Sequence, residues 1–220
     1  MRSALQLALF ILCFFLVWTV RATVLMPVDQ AIGAQGWRLA YSVLVKALFW
    51  GVPAWLAARH ADPDHPCRYL RMTTPAERLP LAIGIGLLYM AGILAWEGAF
   101  SARVAAVLLH RPLSAWGLDL LGIIPSAAVE EIFFRGLLLR EIERRAGFAT
   151  ANVITAFLFM LIHVPNWLWM NGYQAWMPAT ALAIFLLALM LGLLVRISGS
   201  IWPSVGAHVL NNLVARLLQM

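Results

Sequence analysis

Ile123-Ile124-Pro125-Ser126-Ala127-Ala128-Val129-Glu130-Glu131-Ile132-Phe133-Phe134-Arg135-Gly136-Leu137-Leu138-Leu139 reads as a membrane-spanning helix carrying two adjacent carboxylates and a guanidinium. A carboxylate at bilayer depth costs about 2.5–3.5 kcal/mol on insertion scales, so an ionisable residue kept there marks a functional site by default. The bland alternative is an ion pair that only locks helices together. Two histidines in other apolar runs, His163 and His208, favour chemistry over that alternative.

The rest of the chain supports a membrane reading. Its 220 residues are 63% hydrophobic and 12% charged, with a mean hydropathy of +0.84. A soluble domain of this length needs more polar surface. A bilayer crossing takes about 20 apolar residues. Seven runs approach that length: Ala4–Val24, Trp37–Ala58, Leu79–Trp96, Leu118–Leu139, Ala149–Trp169, Pro178–Val195 and Ile201–Leu218. None alternates like a barrel strand, so backbone satisfaction in hydrocarbon demands helices. The expected fold is an all-α polytopic transmembrane bundle of about seven spans. Phe100–Leu109, short and bearing Arg103, is read as interfacial, with an eighth span as the alternative. The N-terminal run is too long for a signal-peptide core and lacks a small-residue cleavage site, so it reads as a retained first span. With no repeat and no long linker, residues 1–220 are expected to form a single integral-membrane domain whose motif-bearing core is 118–218.

Charge placement sets an expected orientation. Arg2, Arg59, Arg68, Arg71, Arg78, Arg140, Arg144, Arg145 and Arg196 share one side if the spans alternate, against Arg21, Arg38, Arg103, Arg111 and Arg216 on the other. The positive-inside rule then predicts a cytoplasmic N-terminus. Most of the tryptophans fall near span ends and read as interfacial anchors. The uncharged, Trp-rich loop Val164–Pro178 is expected in the headgroup layer. No basic cluster with interleaved aromatics points to nucleic acid, and Cys13 and Cys67 offer no metal spacing and no disulfide framework.

Residues four apart share a helix face, while adjacent ones diverge by about 100°. Glu131 and Arg135 are therefore expected to pair, in a structural role, leaving Glu130 free to act on a substrate. His163 follows Phe159 by four residues, and His208 precedes Asn212 by four. A carboxylate and an imidazole can deprotonate a water for attack on a carbonyl, and a second imidazole with an amide donor can hold the resulting oxyanion. Glu130, His163 and His208 could instead hold a divalent metal such as zinc. Both routes hydrolyse an amide or ester. His-Glu-x-x-His, Gly-x-Ser-x-Gly and a Gly-rich phosphate loop are all absent from the sequence, which removes the commonest zinc-protease, serine-hydrolase and nucleotide-dependent readings.

Three short patterns then occur in order. Glu130-Glu131-Ile132-Phe133-Phe134-Arg135 resembles a Glu-Glu-x-x-x-Arg motif, Phe159-Met160-Leu161-Ile162-His163 a Phe-x-x-x-His motif, and His208-Val209-Leu210-Asn211-Asn212 a His-x-x-x-Asn motif. Together they resemble the CPBP intramembrane endopeptidases, which include the type II CAAX prenyl endopeptidases and bacterial proteins linked to bacteriocin self-immunity. That resemblance implies a membrane protease in which Glu130 and His163 activate water while His208 and Asn212 form the oxyanion site. Glu131, Arg135 and Phe159 would support them. A metal-free mechanism is favoured because an asparagine suits an oxyanion donor better than a zinc ligand, with a divalent metal as the alternative. The expected substrate is a membrane-associated protein or peptide, and the expected location a bacterial inner membrane. A catalytically silent membrane adaptor or immunity protein, and a proton-coupled transporter, are the rival functions.

Overall fold

The computed structural model describes residues 3–25, 28, 31–32, 35–73, 77–96 and 112–218. The interfacial segment expected at Phe100–Leu109, and with it Arg2, His110 and Arg111, lies outside the described residues. Among the described residues every regular element is helical. They are α1 (Ala4–Thr23), α2 (Gln35–Lys46), α3 (Val52–Ala61), α4 (Pro66–Tyr69), α5 (Leu79–Trp96), α6 (Leu113–Glu131), α7 (Leu139–Leu161), α8 (Val164–Asn171), α9 (Met177–Ser198) and α10 (Trp202–Leu218). Two π-helical segments, Ala47–Gly51 and Ile132–Leu138, join α2 to α3 and α6 to α7.

Among the described residues, four stretches are long and apolar enough to cross a membrane: Ala4–Thr23, Gly36–Ala61, Trp116–Asn171 and Met177–Ser198. The third has 56 residues, far more than one crossing needs at 1.5 Å per residue. It reverses at Gly147, whose φ of 77° only glycine adopts readily. Counting both arms, and adding the apolar helix α5 and the 17-residue α10, gives about seven helical rods, as the apolar runs predict.

Helix α1 buries only a narrow seam. In α1, Leu7, Phe14 and Arg21 are buried, while Leu5, Leu9, Leu12 and Leu16 face outward, which suits a lipid-contacting helix. The N-terminus of α1 is closed by a reciprocal pair: Ser3 Oγ accepts from the Gln6 N–H and Gln6 Oε1 accepts from the Ser3 N–H, each at 3.1 Å. Phe14, Trp50, Phe133, Phe134 and Phe159 form an aromatic core, with Phe14 stacked on Phe133 at 4.2 Å and Phe134 edge-on to Phe159 at 5.1 Å. A second apolar cluster, Ala82, Leu187, Leu191, Leu194 and Ala207, ties α5, α9 and α10 together.

Small residues and amides do the rest of the packing, as expected where lipid removes the hydrophobic drive between helices. Asn152 Nδ2 on α7 donates to the Leu189 carbonyl on α9 at 3.0 Å. A Cβ on Gly192 would fall 1.8 Å from Asn152 Oδ1, so glycine is what lets the two helices approach. Gly136 plays the same part toward the second connection, where a Cβ would lie 2.9 Å from the Leu70 carbonyl oxygen.

The arginine-rich connections meet at one end of the bundle. Glu143 pairs with Arg71 at 2.9 Å and Arg196 at 3.1 Å. Arg140 donates to the Tyr69 carbonyl at 2.6 Å and lies over the Tyr69 ring. The buried Tyr69 hydroxyl donates to Glu141, and burial raises that phenol above its usual value of 10.0. One departure from the sequence reading concerns Ala149–Trp169, which is not one continuous helix. Helix α7 ends at Leu161 and α8 begins at Val164. Pro165 explains the break, because it lacks the N–H that would have bonded the Leu161 carbonyl. His163 therefore sits in a turn between helices, and half of the Val164–Pro178 loop is helical.

Asp64→Cys and Arg144→Cys, placed in a chain without Cys13 and Cys67, should both react with a membrane-impermeant maleimide from the same side of a sealed vesicle. Labelling from opposite sides would contradict the shared end built around Glu143.

Candidate active site

Glu130 and Glu131 end α6, five and six residues after Pro125. The chain then widens into the π-helical segment Ile132–Leu138, a geometry that frequently marks functional sites. The two carboxylates meet different surroundings. Glu131 is fully buried. Its Oε1 accepts from Arg135 Nη1 at 3.1 Å and from His208 Nδ1 at 2.9 Å, and its Oε2 from Ser204 Oγ at 2.5 Å. Arg135 in turn donates Nη2 to the Ala188 carbonyl at 3.0 Å and lies over the Phe159 ring at 4.6 Å. The expected Glu131–Arg135 pair is therefore present, and Phe159 supports the guanidinium.

Glu130 has fewer partners. Its Oε1 accepts from the Lys46 ammonium, which also donates to Ser126 Oγ. Its Oε2 lies 3.8 Å from His208 Nε2. Glu130 and Lys46 line a cavity of about 230 Å³ together with His163, Trp18, Trp50 and Trp167. His163 donates its Nδ1–H to the Phe159 carbonyl at 3.0 Å, which in the neutral ring leaves Nε2 as an acceptor. Trp18 Nε1 donates to the Ile162 carbonyl at 3.0 Å, holding α1 against the turn that carries His163.

The structure thus brings Glu130 and His163 to one cavity and sets His208 between the two carboxylates. Asn212 is placed elsewhere. It lines a neighbouring cavity of about 340 Å³ with Asp119, Gly122, Ser126 and Arg216. Ser126 borders that second cavity and bonds Lys46, which borders the first, so the Lys46–Ser126 contact stands between them.

A divalent ion at Glu130, His163 and His208 would have to share the Glu130 carboxylate with an ammonium. Among the described residues, no group of three His, Cys, Asp or Glu side chains is arranged to hold a metal ion.

Lys46, Ser126 and Ser204 do not emerge from the motif reading. Lys46 carried a usable signal: it is the chain's only lysine, and it lies in mid-run within Trp37–Ala58. A buried ammonium needs a counter-charge as much as a buried carboxylate does. The serines gave none, because membrane helices use small hydroxyl residues routinely.

Residues 112–214 match the family model described as Type II CAAX prenyl endopeptidase Rce1-like. No curated protein and no solved structure matches the chain.

Removing Glu131 leaves Arg135 buried without its carboxylate, so Glu131→Ala should lose about 3–5 kcal/mol of stability. Ser204→Ala removes one of three donors and should lose about 1–3 kcal/mol. Detergent-solubilised melting measures both. A wild-type melting temperature for Glu131→Ala would refute the structural role given to that residue.

Proposed function

Because its segment 112–214 matches the model of the Type II CAAX prenyl endopeptidase Rce1-like family, we propose that this chain hydrolyses a peptide bond of a membrane-associated protein or peptide, with Glu130 and His163 activating the attacking water. The observation that carries this reading is the shared cavity of Glu130 and His163, inside an integral membrane protein and walled by Trp18, Trp50 and Trp167. Lys46 engages one Glu130 oxygen, and the other is left to accept a proton. A water held between that oxygen and His163 Nε2 loses its proton as it attacks the carbonyl carbon. His163 stays oriented because the Phe159 carbonyl holds its other nitrogen.

Glu131 is a poor base by comparison, since three donors already occupy its oxygens. The mechanism we favour is metal-free, supported by the ammonium on Glu130. His208 and Asn212 are retained as members of the site, His208 through its contacts with both glutamates and Asn212 through the adjoining cavity. The proposed location is a bacterial inner membrane, with the arginine-rich end and the N-terminus cytoplasmic.

Glu130→Gln keeps the shape of the side chain and removes the base. Turnover of a substrate co-reconstituted in liposomes should fall by about 10²–10⁴-fold, while substrate capture survives and can be read by photocrosslinking. His163→Ala should lose a similar factor, and the double variant little more, since the two groups act on one water. Wild-type proteolysis by Glu130→Gln would remove Glu130 as the base. A silent adaptor predicts capture by both forms and cleavage by neither.

Treatment with a strong chelator should leave activity intact, and elemental analysis of the purified protein should find no stoichiometric metal. Lost activity that zinc restores, together with one bound metal per chain that disappears in His163→Ala, would overturn the metal-free mechanism.

A further inference from the structure

We propose that Lys46 is a catalytic residue that binds the oxyanion formed during hydrolysis; this rests on the proteolytic reading above and extends it. Lys46 ends α2, in the half of the chain that precedes the family match at 112–214. An ammonium carries three N–H donors. Ser126 Oγ and Glu130 Oε1 take two of them, and the third remains for a substrate oxygen. Lys46 lines the same cavity as Glu130 and His163, so a carbonyl whose carbon sits beside the Glu130-bound water lies within reach of it.

The competing donors are worse placed. Asn212 lines the other cavity. His208 commits its Nδ1–H to Glu131, and its Nε2 lies 3.8 Å from the second Glu130 oxygen. Arg21 lines the cavity too, but its guanidinium lies toward the Tyr41 ring at 5.7 Å. The Trp50 ring lies 5.9 Å from the Lys46 ammonium. Trp50 Nε1, in the wall of the cavity, is buried without a hydrogen-bond partner among the described residues.

In the step itself, water adds to the carbonyl carbon and gives its proton to Glu130. The C=O electron pair moves onto oxygen, where the Lys46 N–H stabilises the charge without transferring its proton. The C–N bond then breaks as the pair returns, and the leaving nitrogen takes the proton held by Glu130. The products are a carboxylic acid and an amine, which ionise in solvent, and Glu130 and Lys46 end as they began. A charge placed in advance at a developing oxyanion contributes about 10²–10³-fold in rate per donor.

The test uses the full-length protein in liposomes. Its substrates are an internally quenched prenyl-cysteine peptide and co-reconstituted total membrane protein, and its variants Lys46→Met, Lys46→Arg and Glu130→Gln. Lys46→Met should lower kcat by about 10²–10³-fold and leave KM within a few-fold, with Lys46→Arg intermediate. Lys46→Cys in a chain carrying Cys13→Ser and Cys67→Ser should be equally slow and recover on aminoethylation, which rebuilds the ammonium. A peptide aldehyde, which binds as a tetrahedral hydrate, should lose affinity for Lys46→Met by a larger factor than the matching peptide alcohol.

A Lys46→Met enzyme within about threefold of wild type, with Glu130→Gln inactive, would overturn the role of Lys46 and leave the protease standing. So would a folded Lys46→Cys protein that aminoethylation does not revive, or equal losses for aldehyde and alcohol. Absence of any cleavage by the wild-type protein would overturn the proteolytic reading and this inference together.

Discussion

One buried carboxylate organises the bundle. Glu131 sits where water cannot reach it, and an unpaired charge in that position would cost far more than a helix contact returns. The structure answers with donors from separate segments: Arg135 from the π-helical turn, and Ser204 and His208 from α10. Arg135 carries the constraint onward to the Ala188 carbonyl on α9. The next carbonyl along, Leu189, accepts from Asn152 on α7. Four membrane helices are thus held in register by polar contacts whose geometry is far more restrictive than that of apolar side chains against lipid.

That network also explains why two neighbouring glutamates do different work. Adjacent positions on a helix diverge, so satisfying Glu131 turns Glu130 away from α10's hydroxyl and toward α2. There it meets Lys46 on one oxygen and a cavity on its other side. The π-helical segment begins immediately afterward. Its wider turn still permits the Glu131–Arg135 pair while bringing Phe133 and Phe134 into the aromatic core against Trp50. The rigid, saturated carboxylate becomes the frame for the less saturated one.

The all-helical fold was legible in the sequence, because apolar length and backbone satisfaction leave little choice in a bilayer. The family match over 112–214 agrees with the three motifs read along that stretch. The Glu131–Arg135 pair was legible for a local reason, a four-residue spacing that needs no knowledge of tertiary packing. The break at His163 was available from Pro165, but it lost to the continuity of the apolar run. Lys46 stood out as a lone lysine in an apolar run, but its partner, like that of Ser204, became visible only when α2, α6 and α10 were packed together, since those partners lie 84 and 73 residues away. The same limit applies to Asn212. Its spacing from His208 says that they share a helix face, and says nothing about which cavity that face borders.

The motifs lie in one half of the chain, yet the cavity does not. Trp18, Lys46 and Trp50 come from α1, α2 and the first π-helical segment, and they line the cavity together with Glu130 and His163. Trp18 also satisfies the Ile162 carbonyl left open by the helix break, so the N-terminal helix helps to define where His163 stands. A pattern confined to the second half would therefore describe the groups proposed to activate water without describing the rest of the cavity lining. In a hydrolase inside a membrane the walls matter as much as the base, because each electrostatic contact at the reacting carbonyl strengthens as the surrounding dielectric falls. The part of this protein that carries no recognisable motif supplies one part of the cavity wall, and with Lys46 it supplies the charge that Glu130 would otherwise lack.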